Sequence, residues 1–412
     1  MTEPRSALEE TVIEAARVGR AELIALATDL VAFDTTARGE ADAPRDEEKL
    51  QRYLGKHLSE IGAEVEIWEP EPIPASDPFV PGGLDFKGRP QLVGRLPGKG
   101  KGPSLLLNGH IDAVTAEPRE LWTSDPFKAT ERGGHLFGRG VNDMKGGLAT
   151  MLFALKILQR LDVRLHGDVI YCANTDEESS GAGGYACVAH GVRADAGICA
   201  EPSGFDVWTA CRGSLYVDIT VPGRAGHAEM AQPGWQDGGA VNAIDKLRIV
   251  LEAIAALDGE WRTRPDKQHP LLSPGNIVPT MIKGGVWTVT HPPTCELHCG
   301  IYYHPGELDS EGTGSAVRDE FTRRIEAAVA GDSWLASHPL VWEWSQDTIP
   351  AEVPQDHPIV QCVQEAAGTV GRESRVSGFD SWHDAAAFTR LAGTPTVSFG
   401  PGGVESAHSV DE

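Results

Sequence analysis

Acidic and imidazole side chains recur wherever an apolar run of this sequence stops. The run over residues 104–107 gives way to Asn108-Gly109-His110-Ile111-Asp112, and Asp143 follows in a glycine-flanked loop. Asp176-Glu177-Glu178 closes the run over 168–174, Glu201 closes that over 196–200, and His408 comes soon after the glycine loop that ends 394–399. Two imidazoles with several carboxylates make a donor set that suits zinc, manganese or cobalt better than calcium or an iron–sulfur cluster. Each residue alone has an ordinary explanation. A histidine after a strand usually caps or faces solvent, and paired glutamates usually sit in water or in a helix's first turn, where the dipole favours them. Five separate strand ends finishing in ligand-type residues are not what chance supplies, so together they point to a metal site. Glu177 and Glu178 are neighbours in a segment read as extended. They should point opposite ways, leaving one to bind metal and the other to face a water.

The elements that position these groups follow from periodicity. A short apolar run ended by turn residues is the pattern of a fully buried parallel strand. After Asp143, Leu148, Met151, Leu152, Leu155 and Leu158 share one face of a helix. Open α/β folds place their chemistry at such strand ends. Residues 7–33 read as helical, 47–61 as an amphipathic helix, 64–68 and 91–96 as strands, and the rest of 70–103 as proline- and glycine-rich loop. With a helix over 184–190, strand and helix alternate as in an α/β fold with a mainly parallel sheet and helices on both faces.

The texture changes near Arg212. Leu215, Val217, Ile219 and Val221 alternate, as in a sheet with one wet face. Strands over 276–282, 294–303 and 340–344 and helices over 240–257 and 317–329 complete an α+β unit. From His357 the first texture returns, with helices through Ala367 and over 385–391. The reading is a catalytic domain of residues 1–211 and 348–412, interrupted by an inserted lid or dimerisation domain of 212–347.

A net charge of -24 argues against nucleic acid or an anionic membrane as partner. The first residues lack an apolar core, and no run is long enough to span a bilayer, which predicts a cytoplasmic protein. Seven cysteines, an odd number, fit reduced thiols. Cys295 and Cys299 lie in a strand-like run without a second pair, and read as small buried residues rather than zinc ligands.

The ordered motifs GHIDAV, GRGVNDMKGG, DEESSGAGG, CAEPS, GRAGHA, FGPGG and SAHSVDE run from about Leu105 to the end of the chain. In this order they resemble the di-zinc aminoacylase, acetylornithine deacetylase, succinyl-diaminopimelate desuccinylase and carboxypeptidase G metallopeptidase family. The resemblance implies two divalent ions, zinc first with cobalt or manganese possible, held by His110, Glu201, Glu178 and His408, with Asp143 bridging. It implies a cis peptide after Asp143, Asp112 orienting His110 through its free ring nitrogen, and Glu177 as general base to a metal-bridging water. It also implies a homodimer joined through the inserted domains, in which His227 of GRAGHA reaches the partner's site as oxyanion donor.

The family's arginine for a substrate carboxylate is replaced here by Tyr302, which can donate one hydrogen bond but cannot neutralise an anion. Asn276 matches a family polar contact, and Arg212 or Arg375 could partner an anion instead. Asp380 and Asp384 compete for the family's loop aspartate. His408 lies four residues before the final Glu412, so either the chain is a truncated form or this ligand rides on a loose tail. The expected activity is a metal-dependent amidohydrolase that takes an acyl group from a small N-acyl amine or amino acid, in the manner of acetylornithine deacetylase. A dipeptidase or glutamate-releasing carboxypeptidase is the alternative; Tyr302 weighs against it. A non-catalytic metal-binding relative is a third reading, and an intact Glu177 counts against that.

Overall fold

Four short strands that run parallel set the position of everything catalytic in this chain. The computed structural model describes residues 6–37, 45–74, 77, 79–80 and 84–412. The strands are β1 (Glu64–Trp68), β2 (Gln91–Leu96), β3 (Leu105–His110), a small hairpin β4 (Thr130–Arg132) and β5 (His135–Phe137), β6 (Val169–Asn174), β7 (Ala196–Cys199) and β8 (Val207–Cys211). They continue with β9 (Gly213–Pro222), β10 (Asn276–Gly284), β11 (Thr294–Tyr303), β12 (Val341–Thr348), β13 (Ala351–Glu352), β14 (Val376–Phe379) and β15 (Thr396–Ser398). The helices are α1 (Ala7–Val18), α2 (Arg20–Val31), α3 (Glu47–Glu60), α4 (Gly146–Arg160), α5 (Ala182–Ala189), α6 (Ala243–Trp261), α7 (Ser315–Val329), α8 (Pro358–Thr369) and α9 (Ala385–Leu391).

The large sheet has the order β1-β2-β6-β3-β7-β15-β8-β13, with β14 beside β8. Its centre, β6-β3-β7-β15, is parallel throughout, while β1 and β2 add on antiparallel. Because strand side chains alternate, β6 feeds two cores. Val169, Tyr171 and Ala173 pack with α3 and α4, whereas Ile170 and Cys172 pack with α5 and α9. Helices therefore cover both faces, which is why these strands read as unbroken apolar runs.

A second sheet, β10-β11-β9-β12, is antiparallel and carries α6 and α7 on one face. Leu215, Val217, Ile219 and Val221 of β9 enter that core beside Val250, Ile254, Phe321 and Ile325. The intervening Ser214 and Tyr216 point the other way, to a cavity shared with the large sheet. Cys295 and Cys299 are fully buried in the same core, and all seven cysteines are free thiols.

Several sequence-level expectations change. The helix over 7–33 is two helices, α1 and α2, broken at Gly19, where an added Cβ would lie 2.5 Å from the Phe153 ring. The strand expected over 104–107 runs on to His110. β8, β13, β14 and the β4–β5 hairpin are too short to carry a readable period, and β8 is buried throughout. Of the loop expected over 70–103, residues 75–76, 78 and 81–83 lie outside the described residues.

Candidate metal centre

The parallel register brings the ligand-type residues to one edge. His110 is paired with Asn174 across β3 and β6, and Cys199 is paired with Asn108 on one side and Ser398 on the other. The segments that leave these strands carry Glu177 and Glu178 after β6, Glu201 after β7 and His408 after β15. Asp143 enters from a turn over Val141–Lys145 in which Asp143 and Met144 leave helical geometry and are joined by a cis peptide. Two glycines make the approach possible. A Cβ at Gly147 would meet the Ala200 carbonyl at 2.2 Å, and one at Gly400 would meet the Glu201 carbonyl at 2.5 Å. The DMKGG and GPGG segments thus close on the backbone that presents Glu201.

His110 is 1% exposed. Its Nε2 lies 3.0 Å from Asp143 Oδ1 and 3.9 Å from both Glu177 Oε2 and Glu201 Oε2. His408 Nε2 lies 2.9 Å from Glu178 Oε2 and 3.6 Å from Asp143 Oδ2. One donor atom each from His110, Asp143 and Glu178 falls within 4.8 Å of the others. The structure therefore brings together all of His110, Asp143, Glu178, Glu201 and His408, with Glu177 on the same cavity.

The electrostatics are those of a cation site. Burial pushes the carboxyls of Glu177 and Glu201 well above the usual range, neighbouring acids adding to it, and burial raises Glu178 as well. Burial opposes a charged His110, yet the Asp143 hydrogen bond and the charges of Glu177, Glu201 and Asp112 hold its pKa well above that of free imidazole. Burial also opposes ionised Asp143, but the His110 hydrogen bond together with the charges of His110, His408 and Arg139 lowers its pKa. Glu178 Oε1 is buried without a hydrogen-bond partner. Clustered buried carboxylates of this kind need compensating positive charge, and the nitrogen and oxygen donors present fit zinc, cobalt or manganese.

Asp112 meets His110 at its free ring nitrogen, through its main chain more closely than its carboxylate. His110 Nδ1 is 3.0 Å from the Asp112 main-chain carbonyl and 3.6 Å from its carboxylate. The Asp112 carboxylate instead accepts the main-chain N–H groups of Glu177, at 3.3 Å, and Glu178, at 3.1 Å. One residue thus fixes both the histidine and the two glutamates. Glu177 and Glu178 lie in a turn, not in an extended segment, after Asp176 at φ +64. Asp380 is exposed and accepts the Ser273 N–H, whereas Asp384 is fully buried and bonded by Asn174 behind the site.

The tail bearing His408 is not loose. The Glu412 carboxylate accepts the N–H of Asn142 at 3.1 Å and of Asp143 at 2.9 Å, and pairs with the Arg139 guanidinium, which is 2% exposed. Thr123 N–H donates to Asp411 at 2.9 Å. Glu412 thereby holds the backbone of Asp143. Glu412→Ala leaves a buried guanidinium and two N–H groups unpaired, and urea titration should show a loss of about 3–5 kcal/mol; a change below about 1 kcal/mol would show that the pair does not hold the tail.

Five other predicted residues are placed away from the cavity wall. Arg212 is buried, donating to Asn276 Oδ1 at 2.9 Å and the Pro274 carbonyl at 2.8 Å, with its Nε 3.4 Å from Asp380. Tyr302, opposite Asn276 on β11, meets Tyr216 edge-on at 6.5 Å between centroids. Arg375 is paired with Asp206 at the surface. His227 is exposed on the second unit, in a bridge with Thr290. Sequence reasoning missed His383, Trp208 and Phe379, which line the cavity together; the run FDSWHD was the signal available for two of them.

A buried carboxylate–imidazole cluster at the carboxyl ends of parallel strands, open to a cavity, defines a metal-dependent hydrolase. Residues 106–412 match Peptidase family M20/M25/M40, and the chain belongs to that family, whose members are metal-dependent hydrolases of amide bonds. It is 29% identical over 414 residues to the N-formyl-4-amino-5-aminomethyl-2-methylpyrimidine deformylase of Bacillus subtilis, covering 95% of this chain and 89% of that protein. It is 28% identical over 403 residues to the acetylornithine deacetylase of Proteus mirabilis, covering 94% and 91%. Human carnosine dipeptidase 1 shares the fold, with a TM-score of 0.73 at 18% identity over 99% of this chain and 95% of that one. Among the described residues, no helix is long and apolar enough to cross a membrane.

Proposed function

We propose that this chain removes a small acyl group, formyl or acetyl, from the nitrogen of a small amine or amino acid, using two divalent ions, most simply zinc. The observation that carries the reading is Glu177, a largely enclosed glutamate that lines the cavity beside the cluster, 3.9 Å from His110 Nε2. His110, Asp143, Glu178, Glu201 and His408 would hold the ions, which when bound supply Lewis acidity and a more acidic water. Glu177 accepts the proton of the attacking water and returns it to the leaving nitrogen. Asp112 keeps Glu177 and Glu178 in register through their main-chain N–H groups. The relatives named as a deformylase and a deacetylase support the choice of acyl group. The test is amine release from N-formyl, N-acetyl, N-succinyl and dipeptide compounds: turnover confined to dipeptides would replace this reading with the peptidase one.

We assign the catalytic domain to residues 1–211 and 348–412 and the inserted domain to 212–347. The working form is a cytoplasmic homodimer joined through the inserted domain. β10, the edge of the second sheet, exposes Met281 and Ile282, and Val286 and Trp287 follow at 71% and 70% exposure. An apolar edge of this kind is what a second chain covers. His227 is bonded alongside it, through Thr290 and through the Ala228 N–H to the Val289 carbonyl. Trp287→Asp should convert a dimer to a monomer in sedimentation and lower turnover together with it. His227→Ala should cut kcat by about 10²–10³-fold, as loss of one oxyanion donor does, with unchanged metal content; a near-normal rate would remove His227 from the chemistry.

A further inference from the structure

Behind the cluster, polar side chains stand where the core is otherwise apolar. On β3, Leu106 packs with α5 and α9, and Asn108, two residues on and so on the same face, is fully buried. On β6, Ile170 and Cys172 pack there too, and Asn174 follows, also fully buried. Asn108 Nδ2 donates to Asn174 Oδ1 at 2.8 Å, and Asn174 Nδ2 donates to the buried Asp384 carboxylate. Buried amides cost free energy that an apolar pair of the same shape would not, and they hold only where every partner is satisfied. The far end of Asn108 shows what this chain does.

Asn108 Oδ1 lies 3.2 Å from Cys199 Sγ, and that sulfur lies 3.7 Å from Glu201 Oε1. Cys199 is fully buried at the end of β7, side by side with Asn108 in the sheet. Glu201 turns its other oxygen, Oε2, toward His110 at 3.9 Å. A thiol has one proton, and here two oxygens compete for it. The orientation of Asn108 decides between them. Its Nδ2 also faces the Cys172 main-chain carbonyl at 3.4 Å, a group that only accepts, so a turned amide would set oxygen against oxygen. Asn108 Oδ1 therefore needs a donor, and among the described residues Cys199 is the one placed to supply it. The S–H points at the amide, and Glu201 Oε1 faces a sulfur lone pair. A donor on Glu201 Oε1 would stabilise the carboxylate charge by itself and make it a weaker base toward an ion.

We propose that Asn108 is a positioning residue for the metal centre: it takes the Cys199 thiol proton and so withholds it from Glu201, whose carboxylate keeps its full charge for the ion. The proposal rests on Glu201 being a ligand, as in the reading above.

The experiment follows the infrared S–H stretch of zinc-saturated protein, each spectrum less that of the same protein carrying Cys199→Ser, so that the Cys199 band alone remains. Glu201→Gln should leave the band unmoved. Asn108→Leu should shift it to lower frequency, as the thiol turns onto a charged acceptor. A band that moves with Glu201→Gln places the proton on Glu201 and overturns the proposal, and this arm decides alone if Asn108→Leu does not fold. Zinc affinity, by competition with a chromophoric chelator, reads the consequence. Asn108→Leu should weaken it about 10–100-fold, the usual cost of losing a group behind a ligand. Adding Cys199→Ala to Asn108→Leu should return most of that loss, because no thiol is left to misdirect. A purely structural role for Asn108 gives no such recovery, and a double variant as weak as the single one overturns the proposal. Glu201→Gln separates the two claims. Zinc binding that survives it unchanged ends the ligand reading and the proposal with it, whereas weakened binding with an unrecovered double variant ends the proposal alone.

Discussion

Glu177→Gln should lower kcat by about 10²–10⁴-fold, the range for losing a positioned general base, while the protein keeps its full complement of metal. The side chain lies on the cavity wall, with its carboxylate 3.9 Å from His110 Nε2. Its main chain is fixed by the Asp112 carboxylate, so the amide replacement keeps the turn and removes only the capacity to take a proton. Steady-state kinetics with elemental analysis of the dialysed variant decide the matter. Loss of metal together with rate would make Glu177 a ligand, and a wild-type rate would leave the base to be found elsewhere.

Chelation should take turnover to background, and zinc, cobalt or manganese should restore it in the wild-type protein but not in Asp143→Ala. Among the described residues, Asp143 is the acid with a separate oxygen facing each of these two histidines, at 3.0 Å to His110 and 3.6 Å to His408. Removing it takes away the group common to both halves of the cluster. Metal titration of the variant should show at least one ion missing. Turnover that survives chelator, or a variant that binds two ions normally, would sink the dinuclear reading.

The alternation of Leu215, Val217, Ile219 and Val221 was legible because a half-buried strand must repeat every second residue, and the structure buries all four. The β8, β13 and β14 additions were not, because strands of five, two and four residues carry no period to read. Asp380 and Asp384 were indistinguishable in FDSWHD: both are acids in one loop. Their difference in burial comes from Asn174, 210 residues away from Asp384 in the chain.

Residue types and their places at strand ends, by themselves, determined the acids and imidazoles that meet at the cluster, because ligand chemistry belongs to side chains and turn residues mark where buried strands stop. Only the tertiary structure decided how they are held. Asp112 grips the main chain of two glutamates, and Glu412 ties down the Asp143 turn. Both depend on distances between segments that the chain order leaves far apart, and packing alone brings such segments within hydrogen-bond reach.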